Sequence, residues 1–454
     1  MMSFSDLQMI FRFLPLFLAI YYVVPPYFRR GVLLIGSLFV YATGDLRYLP
    51  LLISSVIFNY FLGLDCLRGK KGSLALTILM DAGLLIAFKS LGAFVSLSFL
   101  PVGISFYTFK MISYQCDLYR GRIASAPSFI DTAAYFTLFA QIVSGPIMRY
   151  EDYARNTSYR RKRKDDPNRP SMVACMEEGA FYFCLGLSFK VLIADHLAQC
   201  WHAIGTIGYA HVSVPLAWMG VVVYPLNLYF DFWGYSLMAA GVGVALGFPF
   251  VENFHHPYAA RGVADFYRRW HMTLGSWFRD YIYIPMGGSR AGAGRTFINL
   301  FVVWLVTGLW HGLTLNFLIW AGVLFVLIVW EKYVLAHVPA LMKVLGRVHV
   351  LLFVPLTWMP FALGKLSYLT GYMRCLFPFI DKPTNVYTHD YVTLLDNYLP
   401  FILAGLVLLV PQVFDTLKRH HKNPLVALIC LTLFWASVYS LAGKAGNPFM
   451  YFRF

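Results

Sequence analysis

WLVTGLWHGLTLNFLIWAG, residues 304–322, decides how the rest of this chain is read. It is a run of Trp, Leu, Val, Ile and Phe with no formal charge, the composition of a membrane span. His311 and Asn316 interrupt it. A polar group buried in an apolar medium without a partner costs about 1–3 kcal/mol or more. Each of the two must therefore be paired inside protein or serve chemistry.

The composition agrees with a membrane reading. Of 454 residues, 59% are hydrophobic and only 13% are charged, where a soluble domain carries about 25%. Too few ionisable side chains remain to coat a water-facing surface, and no polar stretch is long enough for a separate soluble domain. We expect a single integral-membrane domain over residues 1–454. The formal charge is +15, but Lys and Arg fall in short tracts between apolar runs: Arg29/Arg30, RGKK at 68–71, RGR at 120–122, RRKRK at 160–164, the stretch 261–295 and KRHHK at 418–422. Such tracts mark cytoplasmic loops and attract anionic membrane lipid. They do not call for nucleic acid as a partner. Seven cysteines, odd in number and without a CxxC pair, argue against a disulfide framework and a zinc site. No metal is expected.

Apolar runs lie at about 8–24, 31–45, 48–66, 74–98, 104–118, 129–148, 174–199, 212–246, 297–313, 314–335, 348–364, 398–414 and 425–442. At about 20 residues per crossing, they predict an all-α polytopic protein of some ten to twelve transmembrane helices. The first run has no small-residue cleavage site and is followed by Pro25, Pro26, Arg29 and Arg30, which predicts a retained helix rather than a signal peptide. Two stretches resist simple crossing. Residues 129–148 lie between two basic tracts, so they turn back within the membrane or form two short pieces, and the SGP at 144–146 favours re-entry. Residues 264–284, containing DFYRRWHMTLGSWFRDYIYI, are too densely charged to face lipid and must lie at the interface or line a cavity within protein. There is no heptad, solenoid or low-complexity repeat.

His311 is a candidate general base, because an imidazole titrates near neutrality and takes a proton from a hydroxyl or thiol; the alternative is a packing histidine bonded to a carbonyl. His271 stands near Arg268, Arg269, Arg279 and Asp280, and shares a face with Arg268 at i, i+3 if its stretch is helical. The alternative there is an interfacial basic helix holding lipid headgroups. MGGSRAGAGR at 286–295 lacks the GxxxxGK[ST] pattern and reads as a flexible loop. GVGVALG at 241–247 reads as small-residue helix packing. No GxSxG, HExxH or paired carboxylates occur.

PVGISFYTFKMISYQCDLYRG at 101–121, YFDFWGYS at 229–236, ENFHHPY at 252–258, WFRDYIYIPMGG at 277–288, WHG at 310–312 with Asn316 and Trp320 downstream, and NPFMYFRF at 447–454 occur in one order along the chain. Together they resemble the membrane-bound O-acyltransferase (MBOAT) family, in the branch of the bacterial alginate, peptidoglycan and cellulose O-acetyltransferase membrane subunits. The resemblance implies a multi-helix fold around a central funnel, with re-entrant or interfacial helices. It implies His311 as the family histidine and His271 as the second catalytic histidine. Trp277, Trp310, Asn316, Arg268, Arg269, Arg279 and Asp280 would then bind substrate or donor. The implied reaction moves an acyl group from cytoplasmic acetyl-CoA to an extracytoplasmic SGNH-hydrolase-like partner, or to the cell-surface polysaccharide or peptidoglycan itself, in the inner membrane of a bacterium. Small partners of D-alanylating relatives carry a similar aromatic tail with a tyrosine proposed to ferry the acyl group. Tyr451 is the corresponding relay candidate here, set against a packing or docking role for the tail. The segment WMPFALGK at 358–365 and the paired His255 and His256 depart from the family pattern; neither histidine is assigned a catalytic role. The other functions weighed are D-alanyl transfer to teichoic acids and a non-enzymatic transporter or scaffold of a polymer-secretion complex. Against a transporter, neither internal repeats nor matched broken helices are found.

Overall fold

The computed structural model describes residues 2–44, 46–95, 100–142, 145–157, 171–379 and 387–443. Every regular element among them is helical, with no strand. Eight helices are long and apolar enough to cross a membrane, from Leu46–Leu67 to Pro424–Ala442. Five of the thirteen apolar runs are not among them. Four form shorter helices, Met9–Val23, Arg29–Ala42, Ile104–Tyr119 and the two pieces within Phe129–Ile142; the fifth is the 32-residue helix Val214–Ala245, buried at every position from Val223 onward. The described residues fall into two compact units.

The first unit gathers described residues of 1–187, 235–252 and 427–453. Its centre is the helix Ile104–Tyr119, in which every residue from Ile104 to Leu118 is buried, Lys110, Gln115 and Asp117 included. These polar groups have partners. Gln115 Nε2 donates to Asn59 Oδ1 at 3.0 Å, Asn59 Nδ2 donates to Asp81 at 3.0 Å, and Lys110 Nζ donates to Gln141 Oε1 at 2.9 Å and to the Tyr135 carbonyl. The run 129–148 begins as two pieces, Phe129–Thr137 and Phe139–Ile142, broken at Leu138. The break thus comes before the SGP that the sequence singled out.

Of the glycines of GVGVALG, Gly241 acts by close packing. A Cβ on Gly241 would stand 2.6 Å from the Gly179 carbonyl oxygen, and one on Gly179 would stand 2.6 Å from the Gly241 oxygen. Only hydrogen atoms fit there. Gly179→Ala gains about 1 kcal/mol of helix propensity but overpacks a contact between two backbones at about 1–3 kcal/mol. The variant should melt earlier than the parent in detergent; an equal or higher melting temperature would refute this contact.

The second unit holds described residues of 188–234 and 253–426. Its main pair is Ala293–His311 and Leu315–Tyr333, joined by the short turn 312–314. The opening stretch 304–322 is therefore a hairpin tip rather than the middle of one span. His311 is the last residue of its helix. Gly308 permits the close crossing, since a Cβ there would meet Ala321 Cβ at 2.9 Å and the Phe317 oxygen at 3.2 Å. In the same unit, Lys190 Nζ lies 2.6 Å from Asp195 and 2.8 Å from Asp231.

Candidate active site

The stretch 264–284 folds as two short helices, Val263–Arg269 and Met272–Phe278, followed by the wider turn Arg279–Tyr283. The first helix begins on Glu331, a buried side chain that accepts the Val263 N–H at 2.7 Å, the Ala264 N–H at 3.2 Å and His349 Nδ1–H at 2.9 Å. A carboxylate at that end satisfies two otherwise unpaired amides and suits the helix dipole. Gly346 holds the approach, because a Cβ there would fall 2.1 Å from the Arg261 oxygen. The two helices do not continue into one another. His271 separates them with φ of 46°, the left-handed region, which costs a non-glycine residue about 1–3 kcal/mol. The i, i+3 face expected for Arg268 and His271 is therefore absent, since the helix ends at Arg269 and the chain reverses its twist at His271. Both residues nonetheless line the same cavity.

That cavity has a volume of about 560 Å³. Its walls are Tyr267, Trp270, Leu274, Trp304, Trp320 and Trp358, with Arg268, Arg279, Ser276 and Thr307 adding polar groups. Among the described residues no carboxylate lines it. Arg268 and Arg279 side chains are 73% and 63% exposed, so both guanidinium groups reach water at the cavity's edge. Asp265 pairs with Arg268 at 3.3 Å and Arg269 at 3.2 Å. Burial alone raises its carboxyl, but the Arg261 N–H and the Arg269 and Arg268 guanidinium groups outweigh burial and hold it below the usual carboxylate range. Arg279 Nε donates to Asp280 at 2.8 Å.

His271 is buried, and its Nδ1 lies 3.1 Å from Asn253 Oδ1. The same oxygen accepts the Thr273 backbone N–H at 3.3 Å and the Thr273 hydroxyl at 2.9 Å. A backbone N–H can only donate, so the shared atom is the amide oxygen and His271 Nδ1 must carry the proton. Nε2 is then a lone-pair acceptor. It is buried and has no hydrogen-bond partner among the described residues. Burial pushes the imidazole down to about 3, because an imidazolium in this apolar setting loses its hydration. The ring packs against Phe232 at 4.7 Å.

His311 occupies an aromatic box. Its ring lies 4.4 Å from Trp310, 4.9 Å from Trp320, 5.0 Å from Phe361 and 6.1 Å from Phe317. Trp320 is common to both histidines: it lines the His271 cavity and meets His311 edge to face. Trp358 stacks on Trp320 at 5.7 Å and meets Trp270 at 5.1 Å, so the segment 358–365 is part of the site's frame. Asn316 Nδ2 donates to the Leu363 carbonyl, tying the start of its helix to that segment. Trp277 is buried against Phe278 and Tyr281 and does not line the cavity. His256 pairs with Asp415 at 2.9 Å. Tyr451 lies outside the described residues.

Sequence reasoning did not assign a role to Asn253, Tyr267, Thr307, Trp304 or Trp358. Asn253 sat within a quoted motif, but its 18-residue separation from His271 hid the hydrogen bond. The aromatic walls read as ordinary apolar residues.

The MBOAT, membrane-bound O-acyltransferase family, model matches residues 120–373, more than half of the chain. The chain is 31% identical to the probable alginate O-acetylase AlgI of Azotobacter vinelandii over all of both proteins. It is 32% identical to the peptidoglycan O-acetyltransferase of Helicobacter pylori over 68% of this chain and 67% of that protein. A more distant relative is the teichoic acid D-alanyltransferase of Bacillus subtilis, 26% identical over 48% of this chain and 55% of that one. With a helical multi-pass fold around two buried histidines, this chain belongs to the membrane-bound O-acyltransferase family and is an O-acyltransferase.

Proposed function

We propose that this protein takes an acetyl group from cytoplasmic acetyl-CoA and passes it across the inner membrane of a bacterium, for O-acetylation of an extracytoplasmic polysaccharide or peptidoglycan. An SGNH-hydrolase-like protein outside the membrane is the partner that receives the group, and no metal takes part. The full-length likeness to an alginate O-acetylase supports the acyl group and the class of polymer. The observation that carries the chemistry is His271, whose Nε2 has no hydrogen-bond partner among the described residues, lining a cavity that also holds two exposed guanidinium groups. Arg268 and Arg279 suit the phosphates of a nucleotide-bearing thioester, and Arg269, held by Asp265, adds positive charge nearby.

The transfer balances as follows. The acceptor oxygen bonds to the thioester carbonyl carbon while its proton passes to the lone pair of a histidine, His271 Nε2 being oriented for it. The carbon–sulfur bond breaks, and the departing thiolate takes the proton back from the imidazolium. His311 is the second imidazole of the reaction, one indole away across Trp320. Asn316 fixes the turn that presents His311, since its amide is engaged by Leu363. Trp310 and Trp277 shape the surroundings, and Asp280 orients Arg279.

The test compares cells carrying wild-type protein or His311→Ala at matched membrane levels. Surface polymers are isolated, and acyl groups released by mild alkali are measured. We expect ester-linked acetate to fall to background, and the fraction that loses it identifies the polymer. Loss of D-alanine instead would move the assignment to the teichoic-acid reaction, the reading that the Bacillus subtilis relative favours. Unchanged acetate and D-alanine would overturn the role of His311.

A further inference from the structure

We infer that Asn253 is a positioning residue for acyl transfer, holding His271, which lines the cavity, in the one tautomer and the one backbone conformation that leave Nε2 as the proton acceptor. The inference rests on the proposed role of His271 as proton acceptor. Four contacts from Asn253 converge on three consecutive residues, His271, Met272 and Thr273. Its side-chain oxygen receives His271 Nδ1–H, the Thr273 N–H and the Thr273 hydroxyl, and its backbone oxygen accepts the Met272 N–H at 2.9 Å. These bonds fall on the left-handed residue His271 and the two that follow it and offset its cost. The next contact along continues the pairing, since His255 N–H donates to the Arg269 carbonyl at 2.9 Å. The segment 253–255 thus runs along the gap between the two short helices and pins both its ends.

The tautomer matters because a neutral imidazole has one donor and one acceptor nitrogen, and the neighbour of one nitrogen decides the role of the other. An acceptor oxygen at Nδ1 leaves the lone pair on Nε2, the buried nitrogen of a residue that lines the cavity. Rotation of the amide by half a turn would bring its NH₂ against both the imidazole and the Thr273 N–H. The Thr273 contact therefore locks the amide as well as the ring. Asn253 does not itself line the cavity, so it acts through His271.

An aspartate at 253 separates this role from simple packing. It is nearly isosteric and keeps the Thr273 bonds, but it places a negative charge on Nδ1–H and favours the imidazolium. The groups facing His271 across the cavity are Tyr267 and Arg268 of the first short helix, Arg279 and Tyr283 of the wide turn, Ser276 of the second short helix, Thr307 of the hairpin and Phe232. None is a carboxylate, so the charge at 253 would be the first beside the ring.

The experiment uses full-length protein purified in detergent, with acetyl-CoA as thioester, an alginate oligosaccharide as the hydroxyl acceptor and free thiol as the readout, for wild type, Asn253→Ala and Asn253→Asp. Thermal unfolding is recorded across the same pH range. We expect Asn253→Ala to lower kcat by about tenfold or more, within the ~10²–10⁴ that a general base contributes, with KM for the thioester changed less than about twofold. Asn253→Asp should introduce an acid limb into the rate profile that wild type lacks, and should weaken the loss of thermal stability that wild type shows as pH falls below about 6.5. Wild-type profiles of both rate and stability in Asn253→Asp would overturn the proposal, as would unchanged kcat in Asn253→Ala. If wild-type protein consumes no thioester while the stability profiles differ as expected, the acetyl-CoA reading fails and the positioning by Asn253 stands.

Discussion

Lys190→Met should cost the protein a large part of its stability. The ammonium lies between Asp195 and Asp231, and the side chains of Lys190 and Asp231 are only 2% and 3% exposed. A buried ion pair is weak evidence of net stabilisation when it is compared with an apolar replacement of the whole group. Removing one member is different, because the remaining buried charge loses its counter-ion, at about 3–5 kcal/mol. Here it leaves two carboxylates that had shared one cation, so mutual repulsion adds to the desolvation cost. Against a total folding stability of about 5–15 kcal/mol, the variant should show a sharply lower melting temperature in detergent and reduced membrane levels. The triple variant Lys190→Met, Asp195→Asn, Asp231→Asn removes all three charges and should regain most of the loss. If Lys190→Met alone melts within a degree or two of wild type, the cluster does not hold the second unit together.

His271→Ala should lower turnover by about 10²–10⁴-fold, the usual contribution of a positioned general base, with a smaller change in KM. The variant also carries a signature independent of activity. In the folded protein burial pushes the imidazole down to about 3, whereas an unfolded histidine titrates near 6.5. Between those values the unfolded chain binds more protons than the folded one, so stability rises with pH across that window. The contribution is complete above about 6.5 and is lost progressively as pH falls towards 3. Without the imidazole, that part of the acid sensitivity disappears, and the curves of melting temperature against pH for wild type and His271→Ala should converge at low pH. Parallel curves would mean that His271 is not held neutral in the fold. A turnover within threefold of wild type would remove it from the proton transfer.

The cavity explains why both effects are expected to be large. The apolar faces of Trp270, Trp304, Trp320 and Trp358 line the cavity beside His271 and keep its imidazole neutral, so loss of the ring shows in both turnover and acid stability. The aromatic frame also links the two histidines in one packed layer, from Trp270 through Trp358 and Trp320 to His311. A change in any of these indoles will therefore be felt at both.

The sequence by itself determined the solvent and the secondary structure. Too few charges for a water-facing surface, long apolar runs and basic tracts between them fix an all-helical membrane protein, because hydrocarbon demands that each backbone amide be paired within its own segment. It also marked 264–284 as a stretch that lipid would not accept, and the linked motifs singled out His271 and His311. The tertiary structure alone decided how these pieces act. Composition could not tell a lipid-facing helix from one sheathed in protein, and only the structure shows that Val214–Ala245 is buried from Val223 onward. Helical spacing could not foresee that the chain turns left-handed at His271, because that conformation is held by bonds to Asn253 from another part of the chain. The proton position on His271, the cavity before it and the indole shared with His311 are likewise set by contacts between residues far apart in sequence. Local periodicity reports what surrounds a segment on average, whereas the chemistry of an imidazole depends on the one atom placed against each of its nitrogens.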